Sequence, residues 1–310
     1  MTEIKKNSVK RVFITGGSGF IGTHLVRFLL SQGHQITIFD LVDTSVQHPR
    51  VQYVKGDIRN PKDLARLLTA DIDCVYHFAA IVSVQECEMN PMQSFETNLL
   101  GTQNILNRLV ELKKDKNIPV FFASSAAVYG DLCKPGHKLN ETEALPVPLS
   151  FYGLHKYTSE QMIRLYCEKH ELKGLSFRFF NVFGPGQKAD SPYSGVISRF
   201  NLAFETNSEA LLFNEGKNSR DFIHVTEIAR ACGMALEIEA NKINGRVINL
   251  CTGVSVTIKE VFQAMSETQK KRIPHKLLPA RSGDIEFSCG DPSLAQAVLG
   301  FTSETASTFN

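Results

Sequence analysis

The first half of the chain alternates short apolar runs with stretches in which apolar residues recur at helical spacing. The run at 12–14 is followed by such a helical stretch, which closes at Gly33. The other runs lie at 36–39, 51–54, 74–78, 120–122 and 175–179, and the helical stretches lie at 61–69, 92–112 and 151–170. Because the runs are continuously apolar, both faces of each strand are expected to be covered. This order predicts an α/β fold built on a doubly wound parallel sheet.

The regular alternation stops after Val182. Residues 183–196 are rich in Gly, Pro and Ser and predict a loop, and helical patterns return near 226–238 and 257–267. We therefore expect a large domain at 1–182, with residues 183–310 mainly forming a smaller mixed lobe that closes over the open end of the sheet. A short apolar run at 247–250 is a candidate for a further strand of the large sheet.

Composition and charge narrow the possible functions. The chain has 310 residues, is 43% hydrophobic, and carries 34 Lys and Arg against 32 Asp and Glu, a formal net charge of +2. That balance offers no electrostatic footprint for nucleic acid or an anionic membrane, so neither is expected as a partner. The seven cysteines stand singly, without the spacing of a disulfide framework or a zinc site, and no metal is expected. No apolar stretch approaches the ~20 residues of a membrane span. The sequence predicts a soluble, cytoplasmic protein.

A glycine-rich segment lies where the first strand meets the first helix. Gly16, Gly19 and Gly22 occur there in TGGSGFIG at 15–22. Glycines at such a junction allow a tight turn, a close approach to a pyrophosphate and close packing of the helix on the strand. The helix N-terminus then presents free N–H groups and a positive potential to the phosphates. The segment predicts a dinucleotide-binding site of the Rossmann type.

Acidic residues end the next two strands. Asp40 ends the second, 24 residues after Gly16, close to the ~20 expected for a carboxylate that binds the ribose. A carboxylate there accepts hydrogen bonds from the 2′-hydroxyl and repels a 2′-phosphate, which favours NAD over NADP. A turn aspartate is the alternative explanation of Asp40. Asp57 and Ile58 end the third strand and are candidates to flank the adenine.

Tyr152 and Lys156 have the spacing YxxxK at the start of a helical stretch. Residues four apart share a helix face, so the ammonium group can lie beside the phenol. A nearby cation lowers the pKa of a tyrosine from its usual ~10, which would make Tyr152 a general base near neutral pH. Ser125 ends the fifth strand, at the edge where doubly wound sheets bind ligands. Both patterns also arise by chance, so these residues are candidates only in combination.

The chain resembles the extended short-chain dehydrogenases/reductases, and within them the nucleotide-sugar 4-epimerases of the UDP-glucose and UDP-N-acetylglucosamine type. The resemblance runs from about residue 10 to 301 and rests on motifs in a fixed order. Besides the glycine segment, these are HFAA at 77–80, NLLGT at 98–102, SSAAVYG at 124–130, YGLHK at 152–156, RFFNVFGP at 178–185, SRDFIHV at 219–225 and RSGDIEFSCGDP at 281–292.

The resemblance implies NAD as the cofactor and a UDP-sugar as the substrate. The implied cofactor-binding residues are Gly16, Gly19, Phe20, Ile21, Gly22, Asp40, Asp57, Ile58, Phe78, Ala79, Ala80, Asn98, Tyr152 and Lys156. The implied catalytic residues are Ser125, Tyr152 and Lys156. The implied substrate-binding residues are Ser83, Ser125, Tyr152, Asn181, Val196, Arg220, Arg281 and Ser288. The two arginines suit a diphosphate, because guanidinium groups match phosphate oxygens.

The implied reaction is a redox-neutral 4-epimerisation through a 4-keto sugar. Ala126 and Ala127 stand where the related dehydratases carry Asp-Glu, which disfavours elimination of water. A dehydratase, decarboxylase or reductase on the same scaffold remains an alternative. A non-catalytic NAD-binding protein is a further alternative, but such proteins typically lack the tyrosine or the lysine.

Two finer expectations also come from the resemblance. Relatives restricted to glucose and galactose carry a tyrosine seven residues after the arginine that matches Arg281, and relatives that accept N-acetylated sugars carry a small residue there. Ser288 occupies this position and favours UDP-GlcNAc and UDP-GalNAc, with or without UDP-Glc and UDP-Gal. Relatives also pair the helices matching 92–112 and 151–170 across a two-fold axis, so a homodimer is expected. Packing of the apolar residues of these helices within the monomer is the alternative.

Overall fold

The computed structural model describes residues 8–188, 195–239, 242–281, 284–304 and 309. Its centre is a seven-stranded sheet in which each neighbouring pair is parallel. In order across the sheet, the strands are β10 (Asn244–Leu250), β6 (Gly174–Phe179), β5 (Val120–Ser125), β4 (Cys74–His77), β1 (Arg11–Thr15), β2 (Gln35–Asp40) and β3 (Val51–Lys55). The predicted doubly wound parallel sheet is confirmed.

Helices bury both faces of this sheet, as the continuously apolar strands require. Successive side chains of β1 enter opposite cores, because Val12 and Ile14 pack in one cluster and Phe13 in the other. The first cluster is completed by α1 (Phe20–Ser31), α8 (Val225–Ala235) and α10 (Ser293–Leu299). The second is completed by α2 (Pro61–Leu67), α5 (Gly101–Leu112) and α6 (Phe151–His170).

The helical stretch predicted at 92–112 is interrupted. The structure has α3 (Val84–Met89) and α4 (Pro91–Phe95), then a π-helical turn at Glu96–Leu100, before α5 begins. The interruption coincides with Asn98, whose side chain accepts a hydrogen bond from the Ile81 amide (2.8 Å) and donates one to the Ile81 carbonyl (3.0 Å). A π-turn of this kind commonly marks a functional site.

A smaller lobe stands over the carboxyl end of the sheet. It contains a three-stranded sheet of β7 (Asn181–Phe183), β9 (Ser219–His224) and β11 (Ser255–Thr257), and a pair formed by β8 (Ala210–Phe213) and β12 (His275–Leu278). Helices α7 (Val196–Thr206) and α9 (Ile258–Thr268) cover a core that is rich in phenylalanine. Since β10 lies beside β6, the second half of the chain contributes to both the lobe and the large sheet. Among the described residues, no helix combines the length and apolarity needed to cross a bilayer.

Candidate active site

The turn between β1 and α1 forms a cradle that only small residues can line. Gly16 has φ +73°, and a Cβ built there would lie 2.5 Å from the Ala79 amide nitrogen, while a Cβ on Gly22 would overlap the Gly16 carbonyl oxygen. Gly19 is the N-cap of α1 and offers no side-chain cap to the first amides. The Ser18 hydroxyl is buried without a hydrogen-bond partner among the described residues. Free amides and an unpaired hydroxyl at a helix N-terminus fit a bound pyrophosphate.

The carboxylate of Asp40 lies against this cradle. It accepts hydrogen bonds from the Ser18 amide (2.9 Å) and the Val42 amide (3.1 Å), so it stands beside the phosphate-binding turn, where a ribose would bind. Asp57 is paired with Arg59, whose hydrogen bonds hold the pKa of that carboxyl below its usual range. The Ile58 side chain is buried in the core against Gly101, so its side chain does not line an open cleft.

The end of β4 forms the next wall. Phe78, Ala79 and Ala80 are partly exposed there, and Phe78 packs edge-on against Phe179 of β6. Asn98, predicted to line the cofactor site, is 4% exposed and holds the Ile81 backbone instead. It therefore positions the segment that follows β4.

Helix α6 brings the predicted catalytic residues together at the carboxyl edge of β5. The Lys156 ammonium donates to the Ala123 carbonyl (2.6 Å) and lies 5.8 Å from the centre of the Tyr152 ring. The Ser125 hydroxyl accepts from the Ala127 amide (3.1 Å) and acts on the Tyr152 phenol through a side-chain hydrogen bond. The helix begins at Phe151 because Ser150 caps the Gly153 amide. The spacing YxxxK therefore places phenol and ammonium side by side, as predicted.

The protonation states differ from the expectation. Burial raises the pKa of Tyr152 to about 12, and its hydrogen bond with Ser125 offsets this only in part. Burial also lowers the pKa of Lys156 to about 8. The prediction that Tyr152 titrates near neutral pH is therefore not met by the chain alone, because burial raises the pKa of the phenol. At pH 7, Lys156 remains largely protonated.

A cavity of about 400 Å³ lies in the smaller lobe, between β7, β8, β9 and α7. Its lining includes Asn181, Val196, Arg220 and Arg281, four of the residues expected to bind substrate. The Arg220 guanidinium donates to the Ser219 carbonyl (2.9 Å), and burial lowers its pKa. Arg281 lies 3.4 Å from the centre of the Phe213 ring. Strands β7 and β9 thus present polar groups to a cavity whose charged walls suit an anion.

Sequence reasoning missed a third arginine in this cavity. Arg199, on α7, lines the same wall as Arg281, and burial together with the charge of Arg281 lowers its pKa. Guanidinium groups that lie close together are typical of a site that binds an anion between them. Its position three residues after Val196, one turn along a helix, was the available signal.

Ser83 and Ser288 do not line this cavity. The Ser83 side chain caps α3 by accepting from the Glu86 amide (3.1 Å). Ser288 is 9% exposed, and its backbone is held by Ser219 (3.1 Å) and by the Ser255 hydroxyl (3.1 Å). Ser288 therefore lies beside Ser219, at the start of the arginine-bearing strand β9. Among the described residues, no group of three or more His, Cys, Asp or Glu side chains is arranged to hold a metal ion.

A glycine turn suited to a dinucleotide, a Tyr-Lys pair with a serine at the strand edge, and a cavity lined by arginines are the features of an NAD-dependent enzyme of the extended short-chain dehydrogenase/reductase class. The chain belongs to the NAD dependent epimerase/dehydratase family, whose model matches residues 12–251.

The similarity to named proteins is consistent with membership of this family. The chain is 34% identical over 256 residues to a putative UDP-glucose 4-epimerase of Methanocaldococcus jannaschii, covering 81% of this chain and 80% of the relative. It is 33% identical over 265 residues to a UDP-N-acetyl-alpha-D-glucosaminuronate decarboxylase of Bacillus cytotoxicus, covering 82% and 78%. Its fold matches a UDP-N-acetylglucosamine 4-epimerase from Methanobrevibacter ruminantium M1, solved with UDP-N-acetylmuramic acid, with a TM-score of 0.88, 33% identity and coverage of 96% and 93%.

Proposed function

We propose that the protein epimerises a UDP-hexose at C4 through a 4-keto intermediate. The observation that carries the proposal is the grouping of Tyr152, Lys156 and Ser125 at the carboxyl edge of β5, in a chain that also has the glycine turn and the arginine-lined cavity. A sugar whose diphosphate is bound by Arg220 and Arg281 would reach the Tyr152 hydroxyl from the cavity side.

The chain's own groups move the proton. Tyr152 takes the proton of the C4 hydroxyl, and Ser125 orients that oxygen through its hydroxyl. NAD, which the glycine turn and Asp40 would hold, would supply the hydride acceptor and donor for C4. Because burial raises the pKa of Tyr152 to about 12, proton removal at neutral pH depends on positive charge beside the phenol. Lys156 supplies such a charge, since its pKa of about 8 leaves it protonated at pH 7.

The diphosphate must stay bound while the 4-keto sugar turns over. Arg199, Arg220 and Arg281 support this, because three guanidinium groups on one cavity can hold a diphosphate through several charge-assisted hydrogen bonds. The sugar itself then remains free to present either face to the cofactor.

The proposed substrates are UDP-GlcNAc and UDP-GalNAc, with or without UDP-Glc and UDP-Gal. The short side chain at Ser288 supports this choice, since relatives restricted to plain hexoses have a tyrosine there. The likeness to a UDP-N-acetylglucosamine 4-epimerase also supports it. Because Ser288 is buried beside the start of β9 and does not line the cavity, it would act by leaving volume beside the sugar rather than by a direct contact.

Decarboxylation is the second candidate, because a decarboxylase is among the relatives of comparable identity. One assay separates the two. Purified protein is incubated with UDP-Glc, UDP-GlcNAc and the matching uronic acids, and the products are resolved by chromatography and mass spectrometry. An epimerase yields a product of unchanged mass and accumulates no NADH. A decarboxylase yields a product that is lighter by about 44 Da, the mass of CO₂. No conversion of any UDP-hexose would contradict the proposal.

We also propose a homodimer formed through the helices of residues 92–112 and 151–170. Leu106 and Leu109 are buried within the monomer, as the alternative explanation required. A second set remains exposed on the same helices and supports the dimer: Met92 69%, Phe95 44%, Leu100 45%, Phe151 42%, Leu154 45% and Leu165 43%. Light scattering is expected to give about twice the 34.5 kDa of the chain, and a mass near 34.5 kDa at micromolar concentration would reject the dimer.

A further inference from the structure

A buried ion pair lies one helical turn beyond the catalytic lysine. Glu160 on α6 accepts two hydrogen bonds from Arg178 on β6, at 2.9 and 2.8 Å, and their side chains are 0% and 3% exposed. The Ser124 hydroxyl donates a third, at 2.5 Å, to the same carboxylate. Burial alone would lower the pKa of Arg178, but the hydrogen bonds and charge of Glu160 outweigh it and raise that pKa. Arg178 therefore keeps its charge in the interior.

This pair is joined to Lys156 through one strand. The Lys156 ammonium donates to the Ala123 carbonyl at 2.6 Å, and Glu160 accepts from Ser124, the next residue of β5. Lys156 and Glu160 are four residues apart on α6 and share a face. Through one cation and one anion, α6 is therefore hydrogen-bonded to two adjacent residues of β5, which directly precede Ser125.

On its other side the pair supports the turn that follows Ser125. The Arg178 guanidinium lies 4.6 Å from the centre of the Tyr129 ring, and the Tyr129 hydroxyl donates to Asn249 at 2.8 Å. Tyr129 belongs to a short 3-10 turn at Ala126–Tyr129, whose first residues follow the catalytic serine. The buried pair thus joins helix α6 to strand β5 and to the turn that follows the catalytic serine.

Stability alone does not account for such a pair. Buried ion pairs lose much of their Coulomb attraction to desolvation, and apolar replacements of similar volume are often neutral or stabilising. The charges around Lys156 suggest another role. Within the described part of the chain, the titratable groups that act on it or respond to its charge are Tyr152, His155 and Glu160 on α6, Cys87 on α3 and His77 on β4.

Most of these neighbours carry no charge at neutral pH. Burial lowers the pKa of His77 to about 3 and lowers that of His155, and burial raises the pKa of Cys87. Cys87 and Glu160 are the two groups whose negative charge raises the pKa of Lys156 against the effect of burial, and the Cys87 thiol is uncharged at neutral pH. We infer that Glu160 is a positioning residue that keeps Lys156 protonated and fixed against β5 beneath Tyr152. This role rests on the proposed epimerase function.

The test compares pH profiles of kcat for four forms of the full-length protein. Glu160→Gln removes the charge but keeps an acceptor for Ser124, and Glu160→Gln combined with Arg178→Met also removes the unpaired cation. Glu168→Gln is the matched control, because it breaks an exposed ion pair with Arg164 on the same helix. Thermal unfolding of each form is measured in parallel.

Glu160→Gln is expected to lower Tm and to move the alkaline limb of the kcat profile, where Lys156 loses its proton, down by about one pH unit, the size of effect of one nearby charge; this roughly halves kcat at pH 7. The double variant should recover Tm but retain a displaced alkaline limb, since Lys156 still lacks its carboxylate. Glu168→Gln should match the wild type in both measurements.

Two results would overturn the inference. A double variant that recovers both Tm and the wild-type pH profile would show that Glu160 serves only the fold. A Glu168→Gln variant that shifts the profile as far as Glu160→Gln would show that any helix charge has this effect. A wild-type enzyme that converts no UDP-hexose would instead overturn the proposed function, and the role of Glu160 with it.

Discussion

Removal of the Lys156 charge gives the most direct measure of how this site activates its tyrosine. The ammonium lies 5.8 Å from the centre of the Tyr152 ring. At an effective dielectric constant of about 20, two unit charges about 6 Å apart interact by about 3 kcal/mol, or about two pKa units. Lys156→Met should therefore raise the pKa of the phenol by about two units and lower kcat at pH 7 by about a hundredfold.

The sign and the range of the effect follow from the two protonation states. The phenolate is the active form, so loss of the cation moves the acid limb of the kcat profile to higher pH. The wild-type advantage should shrink above pH 8, because the pKa of Lys156 is about 8 and the ammonium then loses its own proton. Lys156→Arg, which keeps the charge, should retain the wild-type acid limb even if its turnover falls.

The assay is kcat at saturating UDP-sugar across about pH 6 to 10, on both sides of the Lys156 pKa of about 8, with the amount of bound NAD measured in each preparation. Equal acid limbs in the wild type and in Lys156→Met would refute electrostatic activation by this residue. A loss of turnover that is the same at every pH would assign Lys156 to cofactor binding alone.

Four other predictions test the remaining parts of the site. Tyr152→Phe should keep the fold and bound NAD but lose turnover by orders of magnitude, and more than a tenth of wild-type activity would exclude Tyr152 as the base. Asp40 should make NADP bind far more weakly than NAD to the apo-protein, so equal affinities by titration would show that its carboxylate does not face the ribose. Ser288→Tyr should block UDP-GlcNAc and spare UDP-Glc by a steric clash, and unchanged turnover of UDP-GlcNAc would reject the role of Ser288. Arg199→Gln should weaken UDP about tenfold or more in calorimetry but leave uridine unaffected, as expected for loss of a charged hydrogen bond; equal weakening of both would place Arg199 on the nucleoside instead.

The large sheet and the glycine turn could be predicted from local signals in the sequence. Apolar runs without alternation require cover on both faces, and β1 shows this directly, with Val12 and Phe13 in opposite cores. Gly16 must adopt a positive φ, and Tyr152 and Lys156 share a helix face because of their spacing. Each of these features depends on backbone conformation over a few neighbouring residues, so the sequence by itself determined them.

Tertiary packing decided the features that depend on distant residues. Asn98 reaches Ile81 across a π-turn, Arg199 joins the arginines of β9 and of the segment before α10 in one cavity, and Ser288 lies beside the start of β9. The periodicity of the sequence does not predict contacts between such distant positions, because the chain between them can form loops of many conformations. The protonation states also belong to this level. The spacing of Tyr152 and Lys156 places a cation beside the phenol, but burial, which only the folded chain produces, raises the pKa of one and lowers that of the other.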